Sequence, residues 1–379
     1  FLKLGSKMSG LIFIKKPKIH RLNNKLQRLI NFSHPVVGCS NTLINLYEQM
    51  KKSRAAHERS VDIFKQAIKR HNIKAEYCDD IKDKFQSLNI EEDIKLGIVQ
   101  EKIPFIASLG GDGHFLSTAM HIKNDQIPAF GVNTDPERSG GFLCEFRISN
   151  ELHSNYAENK RNSNEELDRL MIDLKNLDQA RYKYRTRIQV NVNRASEDED
   201  SNELKHVGSR LSLNEFMIEE KFGAKTSIYE FIKDHHSLGI LKSSGIIVST
   251  GSGSTGMLLS ARRPRISELC GMSDIINDKK GNRVTVKSLK NIHDNLTFPA
   301  DSKKFYYFNR ELVRNPYDLE IYKNQTLMNL HEREEGFINK NLKIRNLNVD
   351  GHMLVDGNGR LELEYGDIVD VTLGTPLKC

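Results

Sequence analysis

Ile103-Pro104-Phe105-Ile106-Ala107-Ser108-Leu109-Gly110-Gly111-Asp112-Gly113-His114-Phe115-Leu116 is a short apolar run that breaks into Gly-Gly-Asp-Gly and resumes with Leu116, Ala119 and Met120 at helical spacing. The run predicts a buried strand and the continuation a helix, joined by a tight turn. Three glycines in four residues let backbone N–H groups turn outward and let a ligand come close. The helix start adds free donors and partial positive charge, which suits phosphate. Asp112 would repel a phosphate held in a plain cradle. It is expected either to hold a metal ion or to accept a proton from a hydroxyl being phosphorylated. The plainer reading is a strand-to-helix turn with Asp112 capping the helix.

Outward from the turn, the chain alternates strand and helix. Leu11-Ile12-Phe13-Ile14 reads as a buried strand stopped by Lys15-Lys16-Pro17. From about His57 to His71, Val61, Phe64 and Ile68 share one helical face, and Ile73–Tyr77 alternates as a strand. Ile127–Val132 is a further apolar run. This order predicts an α/β domain with a parallel sheet, whose ligands sit at the carboxyl ends of the strands, where Asp112 falls. Asn133 and Asp135, in the loop after the last run, are candidate contacts beside the turn.

A chain of 379 residues predicts two domains. We expect residues 11–149 to form the α/β domain and 150–379 a β-rich one. Residues 1–10, basic and free of acids, read either as the remnant of a mitochondrial targeting segment or as a chain end with no targeting role. Apolar content of 38% suffices for globular cores, and no apolar run approaches the length of a membrane span. Five scattered cysteines with no CxxC pair indicate neither a disulfide framework nor a zinc knuckle, which fits a reducing compartment. The net charge of +7 is concentrated: residues 1–47 carry eight Lys or Arg and no acid, so the rest is near neutral. A general polyanion binder is disfavoured, and neither nucleic acid nor membrane is expected as a partner.

In the second half, Arg181–Asn193 alternates between an apolar face (Tyr182, Tyr184, Thr186, Ile188, Val190, Val192) and a basic, solvated one. Residues 150–166 read as a surface connection and 195–205 as an acidic insertion. Leu211–Ile218 reads as one strand interrupted by Asn214-Glu215, a polar pair that must be satisfied. An Asn amide can read an adenine edge and a carboxylate can accept from ribose hydroxyls; a bulge or edge position is the plainer alternative. After the apolar run Gly245–Val248 comes Ser249–Gly256, made only of Ser, Thr and Gly, and then an apolar helical pattern. Between a core strand and a helix such a stretch is a dense donor cluster rather than a linker. Asp350-Gly351 and Asp356-Gly357 read first as hairpin turns.

Taken in order, Gly110-Gly111-Asp112-Gly113, Asn214-Glu215 and Thr250–Ser260 resemble the NAD kinases. The loop Gly131–Ser139, Leu241–Gly245, Asn309–Val313 and Met353–Gly357 look like the mitochondrial subgroup. The resemblance implies a Rossmann-like α/β domain followed by a β-rich domain, and transfer of the ATP γ-phosphoryl group to the adenosine-ribose 2′-hydroxyl of NAD, with Mg²⁺. It implies Asp112 as proton acceptor. It implies Gly110, Gly111, Gly113, His114, Phe115, Asn133, Asn214, Glu215, Gly253, Ser254, Thr255, Gly256 and Ser260 as binding residues, with none ligating a metal. It also implies a homodimer in the mitochondrial matrix, with the cytoplasm as the alternative. Two positions depart from the family pattern: His114 stands where Thr is usual, and Gly256-Met257 where Ala-Tyr is common. A nucleotide-binding relative without catalysis, or a lipid or sugar kinase sharing only the Gly-Gly-Asp-Gly turn, are the competing readings.

Overall fold

Gly10–Ile14 (β1), Ala75–Cys78 (β2), Ile106–Gly110 (β3), Ala129–Asn133 (β4) and Phe146–Arg147 (β5) form one sheet in the computed structural model, in the order β2-β1-β3-β4-β5. All its pairings are parallel. The model describes residues 9–16, 39–78, 103–148, 165–195, 204–280, 285, 287–288, 291, 296–313, 327–357 and 359–379. Most of the possible targeting remnant, of the 150–166 connection and of the acidic insertion lies outside these residues.

The chain divides into two units. The first is Phe1–Tyr182 with Lys378–Cys379, and the second is Lys183–Leu377. In the first, β1, β3 and β4 are almost wholly buried, as expected of parallel strands covered on both faces. The helix Cys39–Arg70 (α1) begins well before the expected His57 and packs Val61, Phe64, Ala67 and Ile68 onto the sheet. Asp112–Ala119 (α2) follows β3 directly. Glu165–Lys175 (α3) buries Leu167, Leu170, Met171 and Leu174 in the same core, an i, i+3, i+4, i+7 stripe. The strand order reverses between β1 and β3, which opens a crevice at their carboxyl ends.

The second unit is built from two six-stranded sheets. One contains Tyr184–Ala195 (β6), Leu204–Ser212 (β7), Ser227–Lys233 (β9), His236–Ser243 (β10), Asn341–Asn346 (β14) and Ile368–Lys378 (β17). The other contains Glu215–Glu220 (β8), Gly245–Ser249 (β11), Phe305–Arg310 (β12), Glu335–Ile338 (β13), Gly351–Val355 (β15) and Gly359–Leu363 (β16). The expected β-rich domain is thus an antiparallel one. Ile188, Val190 and Val192 from the first sheet share a core with Phe216, Ile218, Val248 and Tyr307 from the second. Among the described residues no helix is long and apolar enough to cross a membrane.

Two sequence expectations change here. The expected strand Leu211–Ile218 is two strands in different sheets, so Leu213 and Asn214 form the corner where the chain crosses between them. The basic face of β6 is not wholly solvated: Arg187 is 1% exposed and donates from Nε to the Thr375 carbonyl at 2.6 Å. A guanidinium buried this way is held by carbonyls rather than by water. Arg187→Met is therefore expected to lower stability by about 2–4 kcal/mol, read by chemical denaturation.

Candidate functional site

β3 delivers the chain into the Gly-Gly-Asp-Gly turn, and the turn is shaped by close approach rather than by unusual backbone. Gly111 sits at φ −107° and ψ −173°, extended backbone open to any residue. A Cβ on Gly110 would lie 2.9 Å from the His114 Cβ, and one on Gly113 would meet nothing within 4 Å. Gly110 is thus the glycine that packing requires. Asp112 makes no cap within its own helix. Its carboxylate instead accepts the backbone N–H groups of Phe142 and Leu143, each at 2.9 Å. Each oxygen takes one of these bonds and keeps a further lone pair.

The loop that Asp112 holds is fixed at its other end by Asn133, which is fully buried. The Asn133 amide donates to the Ser139 carbonyl at 3.0 Å and its oxygen accepts Asp135 N–H at 3.1 Å. Gly141 is required here, since it adopts φ +59° and a Cβ would fall 2.3 Å from Asn133 Nδ2. Phe115 is 1% exposed and belongs to the interior.

His114 lies beneath the turn with Nε2 3.4 Å from the Phe13 carbonyl, so that nitrogen carries the proton and ties α2 to β1. Burial, with Lys15 and His57 nearby, pushes its pKa down to about 4. It is a neutral donor at ordinary pH.

Where the order reverses, the carboxyl ends of β1, β3 and β4 border a cavity of about 280 Å³ reached by Lys15, Gly111 and Asn133. One face of α1 closes it with Met50, Ser53, Arg54 and His57, again spaced i, i+3, i+4, i+7. The seam is hydrogen-bonded: Ser53 Oγ donates to Asp135 at 2.5 Å, Ser60 Oγ to the Thr134 carbonyl at 2.9 Å, and His57 Nδ1 lies 2.8 Å from Thr134 Oγ1. Burial pushes the His57 pKa down. Sequence reading missed the α1 residues, although Ser53, Arg54 and His57 share one helical face.

In the second unit, the Asn214-Glu215 corner is organised by Asp356. That carboxylate accepts Ser212 Oγ at 2.9 Å and the backbone N–H groups of Leu213, Asn214 and Glu215 at 2.8, 2.9 and 3.1 Å. Asp356 is the first residue after β15, at φ +48°, so it is both a hairpin turn and the anchor of the corner. Burial pushes its pKa up, against the pull of these hydrogen bonds.

The Ser/Thr/Gly stretch packs on the same corner. Thr250 donates from N to the Asn214 carbonyl at 2.8 Å and from Oγ1 to the Leu213 carbonyl at 2.5 Å. A Cβ on Gly253 would fall 2.3 Å from the Asn214 carbonyl oxygen. The hydroxyls expected to face a ligand are in large part used inside the loop. Ser249, Thr250 and Ser254 donate to backbone carbonyls, and Gly253 and Ser254 are buried. Thr255, Gly256 and Ser260 are exposed.

Two polar atoms at the corner, Asn214 Oδ1 and Glu215 Oε2, are buried without a hydrogen-bond partner. Such atoms are costly unless a ligand completes them. Burial, and then the charge of Asp356, push the Glu215 pKa up to about 7. Among the described residues no group of three or more His, Cys, Asp and Glu side chains could hold a metal ion.

Folded Glu215 binds its proton more tightly than unfolded Glu215, so its ionisation opposes folding. Stability is full below about pH 4.5 and falls as pH rises to about 7. Glu215→Gln is expected to be near neutral at pH 4.5 and stabilising by on the order of 3 kcal/mol at pH 8, measured by denaturant titration at both pH values. Gly253→Ala is expected to cost about 1–3 kcal/mol by pushing the loop off the corner. Gly113→Ala, with open space around it, is expected to be neutral or to stabilise by about 0.5–1 kcal/mol. Thermal melts of both variants check the contrast.

No protein-family model matches the chain. It is 24% identical to human "NAD kinase 2, mitochondrial" over 297 residues, 71% of this chain and 62% of that protein. It is 25% identical to the Xenopus tropicalis protein of the same name, over 71% of this chain and 68% of that one. The chain thus spans less than two thirds of the human relative's length. Among solved structures, an NAD kinase from Archaeoglobus fulgidus in complex with ATP aligns at a TM-score of 0.49 and 16% identity, covering 84% of this chain and 88% of that chain. The chain is thus similar in sequence to NAD kinases, mitochondrial NAD kinase 2 among them.

Proposed function

We propose that this protein is an NAD kinase that transfers the γ-phosphoryl group of ATP to the 2′-hydroxyl of the adenosine ribose of NAD, releasing NADP and ADP. The observation that carries this reading is the corner at Asn214-Glu215, where two buried oxygens have no partner beside a Gly-rich loop. Oxygens of this kind accept from the amino and hydroxyl groups of an adenosine. A purely structural turn would have had its polar atoms satisfied, as Asp356 is.

Phosphoryl transfer passes through a loose transition state, so the protein's work is positioning and charge neutralisation. In this reading Asp112 takes the proton from the 2′-hydroxyl late in the transfer. The Phe142 and Leu143 N–H groups fix the orientation of its carboxylate. Asn214 and Glu215 hold the adenosine of NAD. Mg²⁺ enters on the phosphate oxygens of ATP, as part of that substrate, and shields their charge. His114 serves by packing and by its bond to β1, and burial keeps its imidazole neutral. The names of the relatives support a mitochondrial location, and a homodimer is proposed with it.

The test is formation of NADP by the purified chain from NAD and Mg·ATP. Asp112→Asn is expected to lower kcat by roughly 10²–10⁴-fold with NAD binding retained. Hydrogen exchange at the Phe142 and Leu143 amides in that variant separates a missing base from a released loop. Unchanged turnover would remove Asp112 from the mechanism. Tight binding of NAD with no NADP formed would identify a non-catalytic binding protein, and phosphorylation of lipids or sugars instead of NAD a different kinase.

A further inference from the structure

We infer that Arg262 is a positioning residue for the dinucleotide subsite: it clamps the helix Met257–Arg262 (α4) to the second six-stranded sheet and so sets where Gly256 stands over Glu215. The inference rests on the kinase reading above and adds the residue that shapes its acceptor side. Its starting point is the buried oxygen without a partner. Gly256 caps the start of α4, and a Cβ built on it would lie 3.9 Å from that atom, Glu215 Oε2. The backbone at Gly256 is therefore a wall of the space that a ligand must enter to reach Glu215. Thr255, Gly256 and Ser260 of this segment are exposed.

The two halves of the segment are held differently. As far as Ser254 the chain is bonded straight into the fold. Thr250 donates to the corner, and Ser254 Oγ accepts the Phe298 N–H at 3.2 Å. A Cβ on Gly251 would fall 1.9 Å from the Pro299 carbonyl oxygen, so the loop lies flush against that residue. Then comes α4, six residues long, and a helix that short is marginal without tertiary support. Leu258 and Arg262 supply the support. They are four apart and share one face of the helix. Leu258 is buried and packs with Met217, Ile247 and Tyr306 on the side of the sheet away from the core shared by the two sheets.

Arg262 closes the helix with a fork. Nε donates to Glu335 Oε2 at 2.7 Å and Nη2 to Glu335 Oε1 at 3.2 Å, and Nη2 also donates to the Tyr306 hydroxyl at 3.1 Å. The guanidinium carbon stands 4.6 Å from the centroid of the Tyr306 ring. Both partners come from paired strands, Tyr306 from β12 and Glu335 from β13. The Arg262 and Glu335 side chains are 11% and 20% exposed, so water and salt screen the pair poorly. Tyr306 is braced edge-on by Phe337 at 4.8 Å, and Phe337 by Phe298 at 5.2 Å. Phe298 is also the residue bonded to Ser254, so both halves of the segment rest on one aromatic cluster. Contact through Leu258 is non-directional and would let α4 roll or slide. A planar two-pronged pair fixes its angle, which a lysine could not do.

The experiment compares the full chain with its Arg262→Met and Arg262→Lys variants and with the charge-swapped pair Arg262→Glu, Glu335→Arg. NAD binding is measured by calorimetry, turnover with NAD and Mg·ATP by steady-state kinetics, and amide exchange along the segment by mass spectrometry. Arg262→Met is expected to raise Kd and KM for NAD about tenfold while kcat and the KM for ATP stay within about twofold. Exchange is expected to speed up at the Gly256 and Ser260 amides and to stay slow at Thr250 and Ser254. Arg262→Lys, which keeps the charge and the stem, is expected to fall between parent and Met, and the swapped pair to recover part of the loss. Should Arg262→Met fail to fold by circular dichroism, Arg262→Lys carries the same comparison. NAD affinity equal in parent and variants overturns the inference. So does a loss spread evenly over NAD, ATP and kcat with faster exchange at Thr250 and Ser254 too, which marks Arg262 as merely structural. NADP formation with an NAD KM indifferent to Arg262 removes the clamp and leaves the kinase reading standing. Arg262-dependent NAD binding without NADP formation does the reverse.

Discussion

One carboxylate, Asp356, fixes the geometry of the second unit's candidate site. Where β7 leaves one sheet and β8 enters the other, three successive backbone N–H groups and a serine hydroxyl would be stranded by the change of direction. Asp356 gathers all four. A buried carboxylate with this many donors is tolerable, and without them it would be expensive. The chain can therefore turn a corner in the interior and present Asn214 and Glu215 from it. The Ser/Thr/Gly stretch then has a rigid surface to fold against, and Gly253 is what lets it come close. The charge of Asp356 also helps to raise the Glu215 pKa, so support and tuning come from one group.

The first unit solves a similar problem at its own turn. Asp112 and Asn133 lie at the ends of neighbouring parallel strands, and each uses its side chain to hold the loop that follows β4. From sequence Asp112 was expected to accept a proton, hold a metal or cap the helix and Asn133 was a candidate contact; both carry structural bonds to this loop. A carboxylate aimed by two N–H groups has lost its rotational freedom before any substrate arrives, and positioned proton transfer needs that.

Much of this was legible in the residues. The apolar runs ending at Leu109 and Val132, and the alternation of Ile188, Val190 and Val192, have periods that sterics and burial impose, so the parallel sheet and the β-rich part followed from them. The Gly-Gly-Asp-Gly and Ser/Thr/Gly stretches stood out because small residues between a strand and a helix need a reason. Other features were hidden because they depend on pairs far apart in the chain. Asp356 is some 140 positions from the corner it anchors, and its Asp-Gly context reads as an ordinary hairpin. Arg187 looked like part of a solvated basic face because nothing local reveals the carbonyls of Thr375 and Pro376 that receive it. From sequence His114 stood out only as a departure from the family pattern, because its proximity to Phe13 is a matter of sheet order, with β1 beside β3. The hydroxyls of Ser249, Thr250 and Ser254 looked available for the same reason: their acceptors are backbone carbonyls of folded structure.

The bond between Asp112 and the backbone of Phe142 has a practical meaning. The Phe142 amide is anchored to the centre of the turn while its ring stands 71% exposed. A side chain so placed is mechanically attached to the carboxylate yet free of the core, so the position accepts a different ring at little cost. A tryptophan or a small fluorophore there would act as an optical gauge of the turn. It would register the moment when an incoming ligand draws an oxygen of Asp112 away from the loop.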